Sequence, residues 1–363
     1  MNDFNILNQP ITPGISLITA VKNRTEYLQQ SLETWLSFDE IDEIIIVDWS
    51  SDDSLIKFIE RYQNDKIILV IATDQDKWIQ TKAFNLSARF SSREKILKLD
   101  ADIKLIKGFF DHHSLNPGFF YTGNWAIAKS SNDTHLNGSV YVFRNDFFEI
   151  NGYNELFQYY GYDDTDLYNR LENNGLTRMD FNPDFMAHIE HENRIVNFFS
   201  DYISKLNDSQ KADLSILMNR YFITESFHWD TSQPLTTFEV NSINPNIYIC
   251  SQPVKNDKKL PEELVKKSEL VAIKERLKLA GQEFSDQLFD IGTRNEIIDL
   301  FYIFHNRQEN QTFENIYNLI LRYDRAIMEE ILRKEREINQ LLEKIQLRDE
   351  QINSLTRKND SIF

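Results

Sequence analysis

The sequence predicts an α/β protein with a mostly parallel sheet covered by helices on both faces, followed by a helical C-terminal region and a coiled coil. Over the first hundred residues, apolar runs of strand length alternate with segments of helical spacing. Polar residues directly follow these runs, as they do at the carboxyl ends of parallel strands. Near the C-terminus, isoleucine recurs every seven residues from Ile331 to Ile352, which is typical of a coiled-coil seam.

Four apolar runs are predicted to form the first strands of the sheet. They are residues 15–20, 43–47, 67–71 and 95–99. Each run is short and nearly continuous in apolar residues, which is typical of strands buried on both faces. Helices are predicted between them, the first beginning with Thr25 as its N-cap and the third opening at Thr81.

Beyond residue 119 the pattern changes, and three parts of the chain are predicted. A helix is expected to begin near Asp164 and to end before Gly175. We predict an α/β domain over residues 1–230, a mainly helical accessory region over 231–325 and a coiled-coil segment over 326–363. The alternative for the last segment is a single solvated helix that packs on its own domain.

The composition limits the function of the chain. With 363 residues, of which 41% are hydrophobic, the chain can bury a large core. Its net charge of −17 opposes binding to nucleic acid, so no such partner is expected. A single cysteine, Cys250, disfavours a protein built on disulfides. Because no window of about 18 apolar residues occurs, we expect a cytoplasmic protein.

Two aspartates follow the fourth predicted strand. Residues two apart in an extended chain point to one side, so the carboxylates of Asp100 and Asp102 are expected to share a face. Two carboxylates together suit Mn²⁺ or Mg²⁺, which can bridge phosphates. A D-x-D triplet also occurs by chance in acidic chains, but its place after an apolar strand favours a site.

His188 and His191 are the second candidate. Two imidazoles three residues apart can bind one metal ion from a turn or a helix end, although such a pair can also be structural. The run does not match the H-E-x-x-H pattern of metalloproteases.

Asp163, Asp164 and Asp166 lie at the start of the later helix, just after several aromatic residues. Acids at a helix N-terminus stabilise the helix dipole, which is the simplest explanation. A ring such as Tyr160 can also stack on a sugar, and a nearby carboxylate can accept a hydroxyl proton. These residues therefore favour a sugar platform with a general base.

Polar residues after the first two predicted strands suit a nucleotide. Asp48 can accept hydrogen bonds from a uracil or a ribose, and Arg24, beside Asn23, can bind phosphate. Lys82 is another candidate for phosphate, although most lysines on helices are simply solvated.

Together these stretches resemble the inverting, metal-dependent glycosyltransferases of the GT-A fold. The closest are glycosyltransferase family 2 and the β-1,4-galactosyltransferase and chondroitin-polymerase branch. The resemblance extends over residues 13–230 and is carried by ITAVKNR, IIIVDWSSDD, TKAFN, LKLDADIKL, NGSVYVFRNDFFEINGYNELF, YYGYDDTDLYNRL and MAHIEH. Residues 161–164 correspond to the glycine-glycine-glutamate-aspartate of the family.

The resemblance implies roles for the matched residues. Asp164 would be the catalytic base, while Tyr160 and Asp163 would bind the acceptor. The residues implied in donor binding are Thr19, Asn23, Arg24, Asp48, Lys82, Asp100 and Gly138.

The resemblance also implies a divalent cation, Mn²⁺ or Mg²⁺, bound by Asp102, His188 and His191. The galactosyltransferases have methionine where this chain has His188, so an imidazole replaces a thioether. Tyr162 stands in place of a glycine and Tyr160 in place of a tryptophan, and both changes reshape the acceptor pocket.

The function implied is the transfer of a hexose or N-acetylhexosamine, with a galactose type favoured, from a UDP-sugar to a hydroxyl of a glycan or lipid-linked glycan. The expected setting is bacterial surface polysaccharide synthesis at the inner face of the cell membrane, with a homo-oligomer formed through the coiled coil. One alternative is a nucleotide-sugar hydrolase or another nucleotide-sugar enzyme. The other is a non-catalytic carbohydrate-binding scaffold, which would have no need for clustered acids and imidazoles.

Overall fold

A computed structural model of the chain describes residues 10–157, 160–191, 208–225 and 229–252, with short pieces between residues 267 and 276 and residue 333. The chain divides into two compact units. The first comprises Met1–Phe199 and Asn207–Ala272, and the second comprises Ser200–Leu206 and Ile273–Phe363. The predicted coiled coil at 326–363 lies outside the described residues except for Arg333, and so does most of the predicted accessory region.

The first unit is built around a large, mostly parallel sheet. The strands are β1 (Thr12–Val21), β2 (Ile41–Trp49), β3 (Ile67–Ala72), β4 (Arg93–Lys98), β5 (Ile103–Leu105), β6 (Phe119–Thr122), β7 (Val140–Phe143), β8 (Thr177–Asp180), β9 (Met186–His188), β10 (Glu239–Asn244) and β11 (Ile247–Ser251). Among the described residues, nine of them form one sheet in the order β10-β11-β3-β2-β1-β4-β7-β6-β8, while β5 and β9 pair separately. The strands from β11 to β4 run parallel, which confirms the predicted fold class.

Helices connect and cover these strands. They are α1 (Thr25–Trp35), α2 (Ile56–Glu60), α3 (Gln80–Arg89), α4 (Phe109–His112), α5 (Ser131–His135), α6 (Arg144–Glu149), α7 (Asp163–Asn173) and α8 (Asp208–Glu225). The prediction that Thr25 caps α1 is wrong. Arg24 occupies the cap position, no side chain accepts a hydrogen bond there, and Thr25 is already the first helical residue. None of the described helices combines the length and apolarity needed to cross a membrane.

Both faces of the sheet are buried. In β1, Leu17 packs in one core with Leu28 and Leu32 of α1, whereas Ile18 packs in a second core with Phe84 of α3. Successive residues of a strand point to opposite faces, so a strand between two helix layers must be apolar on both. This explains the nearly continuous apolar runs.

The stretch after residue 230 differs from the mainly helical region predicted there. β10 and β11 form a hairpin around Pro245, and β11 pairs in parallel with β3, Ile247 lying opposite Leu69. The first compact unit accordingly continues to Ala272, beyond the predicted boundary at 230. β10 is almost entirely exposed, so it lacks the apolar periodicity by which a strand is recognised.

The direction of the chain across the sheet reverses between β1 and β4. The chain passes from β1 to β2 and β3 on one side, and then returns to place β4 on the other side of β1. In open α/β sheets, ligands bind beyond the carboxyl ends of the strands at such a reversal. Arg24 follows β1 and Asp102 follows β4, so both lie at this point.

Trp35 fixes the chain that leaves β4. Its side chain is fully buried at the end of α1, and its indole N–H donates to the carbonyl of Ile103 at 2.9 Å. Because Ile103 directly follows Asp102, this hydrogen bond connects the first helix to the turn that carries Asp102.

Replacing Trp35 by phenylalanine should therefore loosen this turn. Trp35→Phe leaves a void and an unsatisfied carbonyl, which together cost about 2 kcal/mol and lower Tm by roughly 5 °C. Trp78→Phe is the control, because Trp78 is 37% exposed and its replacement should change stability by less than about 0.5 kcal/mol. Equal Tm values for the two variants in thermal unfolding would show that Trp35 does not anchor the turn.

Candidate active site

Asp102, His188 and His191 form a group able to bind a metal ion within the described part of the chain. Each offers one ligand atom, and these atoms lie within 4.8 Å of one another. The pairing of β5 with β9 brings them together, since Ile103 lies opposite His188 and the N–H of Ile189 donates to the carbonyl of Asp102 at 2.8 Å. A short antiparallel pair thus joins residues that are distant in sequence.

The side chains of Asp102 and His191 converge on one point, where the guanidinium of Arg24 lies. Nη1 of Arg24 is 3.2 Å from Oδ2 of Asp102 and 2.7 Å from Nε2 of His191, and the Asp102 and His191 atoms are 2.8 Å apart. A carboxylate oxygen and an imidazole nitrogen aimed at a single cation form a donor set that also suits Mn²⁺. The residues present therefore fit a divalent cation.

His188 is held from both sides. The backbone N–H of His188 donates to Oδ1 of Asn132 at 2.7 Å, and the ring stacks on that of His135 with centroids 4.3 Å apart. Burial lowers the pKa of His188, and the neighbouring His135 and His191 lower it further, although Asp102 opposes this. The imidazole is therefore held in its neutral form, which is the form that binds metals.

The two aspartates of the D-x-D triplet bind different partners. β4 ends at Lys98, and the chain then turns, the N–H of Ile103 donating to the carbonyl of Asp100 at 3.1 Å. Oδ1 of Asp100 accepts from Nζ of Lys98 at 2.8 Å, whereas Asp102 contacts His191. The alternation of side chains applies only where the extended strand continues.

Lys98 is a residue of this site that the sequence analysis missed. Its side chain is buried at the end of β4, and its ammonium also donates to the carbonyl of Gly138 at 2.7 Å. A single lysine inside an apolar run gives no local signal of burial, because Lys95 in the same run is partly exposed.

Asp163 and Asp164 begin α7 beside this lysine. Asp163 is buried and Asp164 is partly buried, with Oδ1 of Asp164 accepting from the hydroxyl of Tyr153 at 3.1 Å. Burial, together with the charge of Asp164, raises the pKa of Asp163 to about 8, and burial also raises the pKa of Asp164. In both cases Lys98 lowers the pKa and so opposes the shift. The raised pKa of Asp163 therefore favours the protonated form of this carboxyl near neutral pH.

The backbone before α7 is in the left-handed region at two consecutive residues. φ is +83° at Gly161 and +67° at Tyr162. For a bulky residue this conformation costs roughly 1–2 kcal/mol, which explains why a glycine suits position 162 in the related pattern. Nδ2 of Asn219 on α8 donates to the carbonyl of Gly161 at 2.6 Å and so helps to hold the turn.

The residues predicted to bind the donor after β1 and β2 form a hydrogen-bonded edge. Asn23 exchanges two hydrogen bonds of 2.8 Å with Asp52, and Oδ1 of Asp48 accepts from the N–H of Ser51 at 2.9 Å. Lys22, which the sequence analysis missed, donates to three carbonyls of the neighbouring loops. Its partners are Trp49, Ser50 and Gln75, at 3.2, 2.9 and 2.7 Å.

The other residues predicted to bind the donor or the acceptor differ in how deeply they are buried. Thr19 is fully buried in β1, and Lys82 is buried in α3. Gly138 lies against Asp100 and Lys98. Tyr160, predicted to stack on the acceptor, is 52% exposed just before α7.

Two family models match consecutive parts of this unit. The model for glycosyl transferase family 2 matches residues 16–110, which contain most of β1 and all of β2 to β5. The model for the N-terminal domain of galactosyltransferase matches residues 126–192, which contain Asp164, His188 and His191. No curated protein matches the chain in sequence.

Solved structures of glycosyltransferases match part of the chain. The catalytic domain of Drosophila β-1,4-galactosyltransferase 7 in complex with xylobiose is 13% identical, with a TM-score of 0.42 over 66% of this chain and 93% of that chain. A mutant of the Drosophila enzyme in complex with manganese, UDP-Gal and xylobiose is 15% identical, with a TM-score of 0.41 and the same coverage of 66% and 93%. GalNAc-T7 with UDP, GalNAc and Mn²⁺ is 13% identical, with a TM-score of 0.41 over 49% of this chain and 44% of that chain.

The mostly parallel sheet and the two family models identify an enzyme of the glycosyltransferase class with a GT-A fold. Residues 126–192 resemble the N-terminal domain of galactosyltransferase. The two family models thus confirm the resemblance to glycosyltransferases found in the sequence.

The raised pKa of Asp163 predicts a pH-dependent stability. The native protein holds a proton that the unfolded chain has lost, so the free energy of unfolding falls as the pH rises from about 4 towards about 8. Asp163→Asn removes this loss. The Tm of Asp163→Asn minus that of the parent protein should therefore increase by about 3 °C or more from about pH 5 to about pH 8.

The control for this measurement is Asp39→Asn, which removes an exposed aspartate from the turn before β2. Both variants are unfolded thermally in metal-free buffer. A Tm difference for Asp163→Asn that stays constant with pH, like that of the control, would contradict the buried proton.

Proposed function

We propose that this enzyme transfers a hexose or an N-acetylhexosamine, with a galactose type favoured, from a UDP-sugar to a hydroxyl of a glycan acceptor with inversion at the anomeric carbon. The observation that carries the proposal is that a cation-binding group and the carboxylate of Asp164 both lie beside the chain that leaves β4, at the reversal point of the sheet. In inverting transfer a cation stabilises the leaving diphosphate and a base takes the acceptor proton. The cation-binding group and the carboxylate of Asp164 can supply these two functions.

Asp164 is the base in this proposal. Asp164 is partly buried at the start of α7, and the hydroxyl of Tyr153 donates to its Oδ1 at 3.1 Å. The exposed ring of Tyr160 offers a flat surface on which a sugar ring can stack. Asp163 precedes Asp164 on the same helix, and we assign it to acceptor binding.

The donor would bind along the carboxyl ends of β1, β2 and β4. Asp102, His188 and His191 would hold Mn²⁺ or Mg²⁺, which supplies positive charge for the diphosphate of the departing UDP. The residues that we assign to the nucleotide and its phosphates are Thr19, Asn23, Arg24, Asp48, Lys82, Asp100 and Gly138.

The chemical step is a single displacement. The acceptor oxygen forms a bond to the anomeric carbon while the bond from that carbon to the UDP oxygen breaks, and the acceptor proton passes to Oδ of Asp164. Since attack and departure occur on opposite faces, an α-linked donor gives a β-linked product. The proton on Asp164 returns to solvent before the next turnover.

We propose that the setting is bacterial surface polysaccharide synthesis, with a glycan or lipid-linked glycan acceptor on the cytoplasmic side of the membrane. This part of the proposal is supported by the sequence resemblance. The proposed homo-oligomer would form through residues 326–363.

Asp164→Asn should remove transfer and leave donor binding in place. An amide cannot accept the proton, so the rate of transfer should fall at least about 100-fold, while the affinity for UDP with Mn²⁺ changes by less than about threefold. Transfer is measured with UDP-galactose, Mn²⁺ and the p-nitrophenyl β-glycosides of glucose, xylose and N-acetylglucosamine. Binding is measured by calorimetry.

The matched control is Glu172→Gln, which replaces an exposed carboxylate on the same helix and should transfer at the parental rate. Parental transfer by Asp164→Asn would remove it as the base. Consumption of UDP-galactose at full rate without an acceptor would identify a hydrolase instead.

The cation group predicts a metal affinity that depends on both histidines. His188→Ala and His191→Ala should each weaken Mn²⁺ binding at least about tenfold in calorimetry, since each removes one ligand. His112→Ala, which removes an exposed histidine stacked on Phe185, should leave the affinity unchanged. Turnover that persists in saturating EDTA would exclude a metal-dependent reaction.

A further inference from the structure

Lys98 is a charged side chain in an almost fully enclosed position. It is 1% exposed, at the last residue of β4. Its ammonium donates to Oδ1 of Asp100 at 2.8 Å and to the carbonyl of Gly138 at 2.7 Å, and it lies 4.1 Å from the centroid of the Phe84 ring. Burying an ammonium is costly, so a lysine in this position needs negative charge around it.

The ammonium and the proposed base face one another across Gly138. A methyl group built on Gly138 would lie 2.8 Å from Oδ2 of Asp100, 3.1 Å from Nζ of Lys98 and 3.4 Å from Oδ2 of Asp164. A side chain at this position would therefore have to displace the Asp100 carboxylate. The absence of a side chain at this position therefore lets the lysine act on Asp164 at short range.

The surroundings of Asp164 are rich in acids and poor in cations. The titratable groups that act on it from the packed elements are Lys98, Asp100, Tyr153, Tyr160, Asp163 and Tyr168. Arg178 of β8 lies over the ring of Tyr168 at 4.6 Å, and the hydroxyl of Tyr168 donates to the carbonyl of Asn137. Of these groups, Lys98 is the cation that acts on Asp164 directly.

The charge balance can be followed in both partners. Burial lowers the pKa of Lys98, but Asp100, Asp164 and Asp163 outweigh this effect and the pKa is raised, so the side chain remains an ammonium. Burial raises the pKa of Asp164, and Lys98 is the largest influence in the opposite direction. Without the lysine, the carboxylate would take up a proton at a higher pH.

We propose that Lys98 is a positioning residue for transfer, whose buried ammonium is the counter-ion that keeps Asp164 ionised and holds Asp100 against Gly138. The inference rests on the proposed role of Asp164 as base. During transfer the acceptor proton moves to Asp164, and Lys98 keeps its own proton throughout. Lys98 thus acts through Asp164 and does not contact the reacting atoms.

A purely structural lysine would behave differently. Its loss would reduce transfer by the same factor at every pH, because fewer molecules would have an intact site. Loss of a counter-ion instead moves the pH at which the base becomes ionised. The pH profile of kcat/KM therefore separates the two roles.

Lys98→Met is the test variant, since methionine retains much of the side-chain length without the charge. With UDP-galactose, Mn²⁺ and the p-nitrophenyl glycosides as acceptors, kcat/KM is measured from about pH 5.5 to about pH 8.5. The acid limb of the kcat/KM profile should move to higher pH by about one unit or more. At pH values below the limb, this shift lowers kcat/KM by about a further tenfold. UDP binding with Mn²⁺, measured by calorimetry, checks that the donor site is intact.

Lys95→Met is the matched control. Lys95 lies on the same strand, with Nζ 5.7 Å from the centroid of Phe143 and 3.8 Å from Glu94, and none of these contacts is with Asp100, Asp163 or Asp164. The pH profile of this variant should superimpose on that of the parent protein.

A Lys98→Met profile that falls uniformly, with its acid limb in the parental position, would overturn the proposal. Lys98→Gln covers the case in which methionine prevents folding, because glutamine keeps a donor for the Gly138 carbonyl and should shift the limb in the same direction. Failure of both variants to fold at every pH would assign Lys98 to structure alone. If Asp164→Asn still transfers, the proposed function fails; if it does not transfer but Lys98→Met leaves the acid limb in place, only the present inference fails.

Discussion

Several carboxylates lie close together at the carboxyl ends of the parallel strands, and nearby cations offset the repulsion between their charges. Asp163 and Asp164 are adjacent at the start of α7, and the side chain of Asp100 comes close to that of Asp164 beside Gly138. Asp102 faces the imidazole of His191. Lys98 and Arg24 provide the positive charge on the protein side. In an enclosed region such charges interact more strongly than in water, so this balance constrains the whole edge.

Contacts between residues that are distant in sequence hold the backbone segments that carry these charged side chains. Pairing of β5 with β9 brings the histidines to Asp102, and the buried indole of Trp35 holds the beginning of β5. Lys22 joins the loops at the ends of the first three strands through carbonyl contacts. Each charged group therefore sits on an element that packs in the core, and side chains held in this way lose little further freedom when a substrate binds.

Much of this architecture could be predicted from the sequence, because the signals that specify it are local. The apolar runs of β1 to β4 reflect burial on both faces, and the polar residues that follow them mark the carboxyl edge. Lys98 could not be predicted, because it differs from Lys95 only in what packs around it. The different partners of Asp100 and Asp102 arise from a turn that strand spacing does not reveal. The exposed strand β10 carries no apolar pattern at all.

The pairing of β11 with β3 has a consequence for synthesis on the ribosome. β3 consists entirely of isoleucine, leucine, valine and alanine, and its outer edge is paired in the finished protein by a strand that is translated much later. Until residues 247–251 emerge, the nascent chain presents an apolar strand with open hydrogen-bonding groups, which invites pairing with another chain. Protein made to end before this hairpin should therefore aggregate even though every residue assigned to chemistry is present.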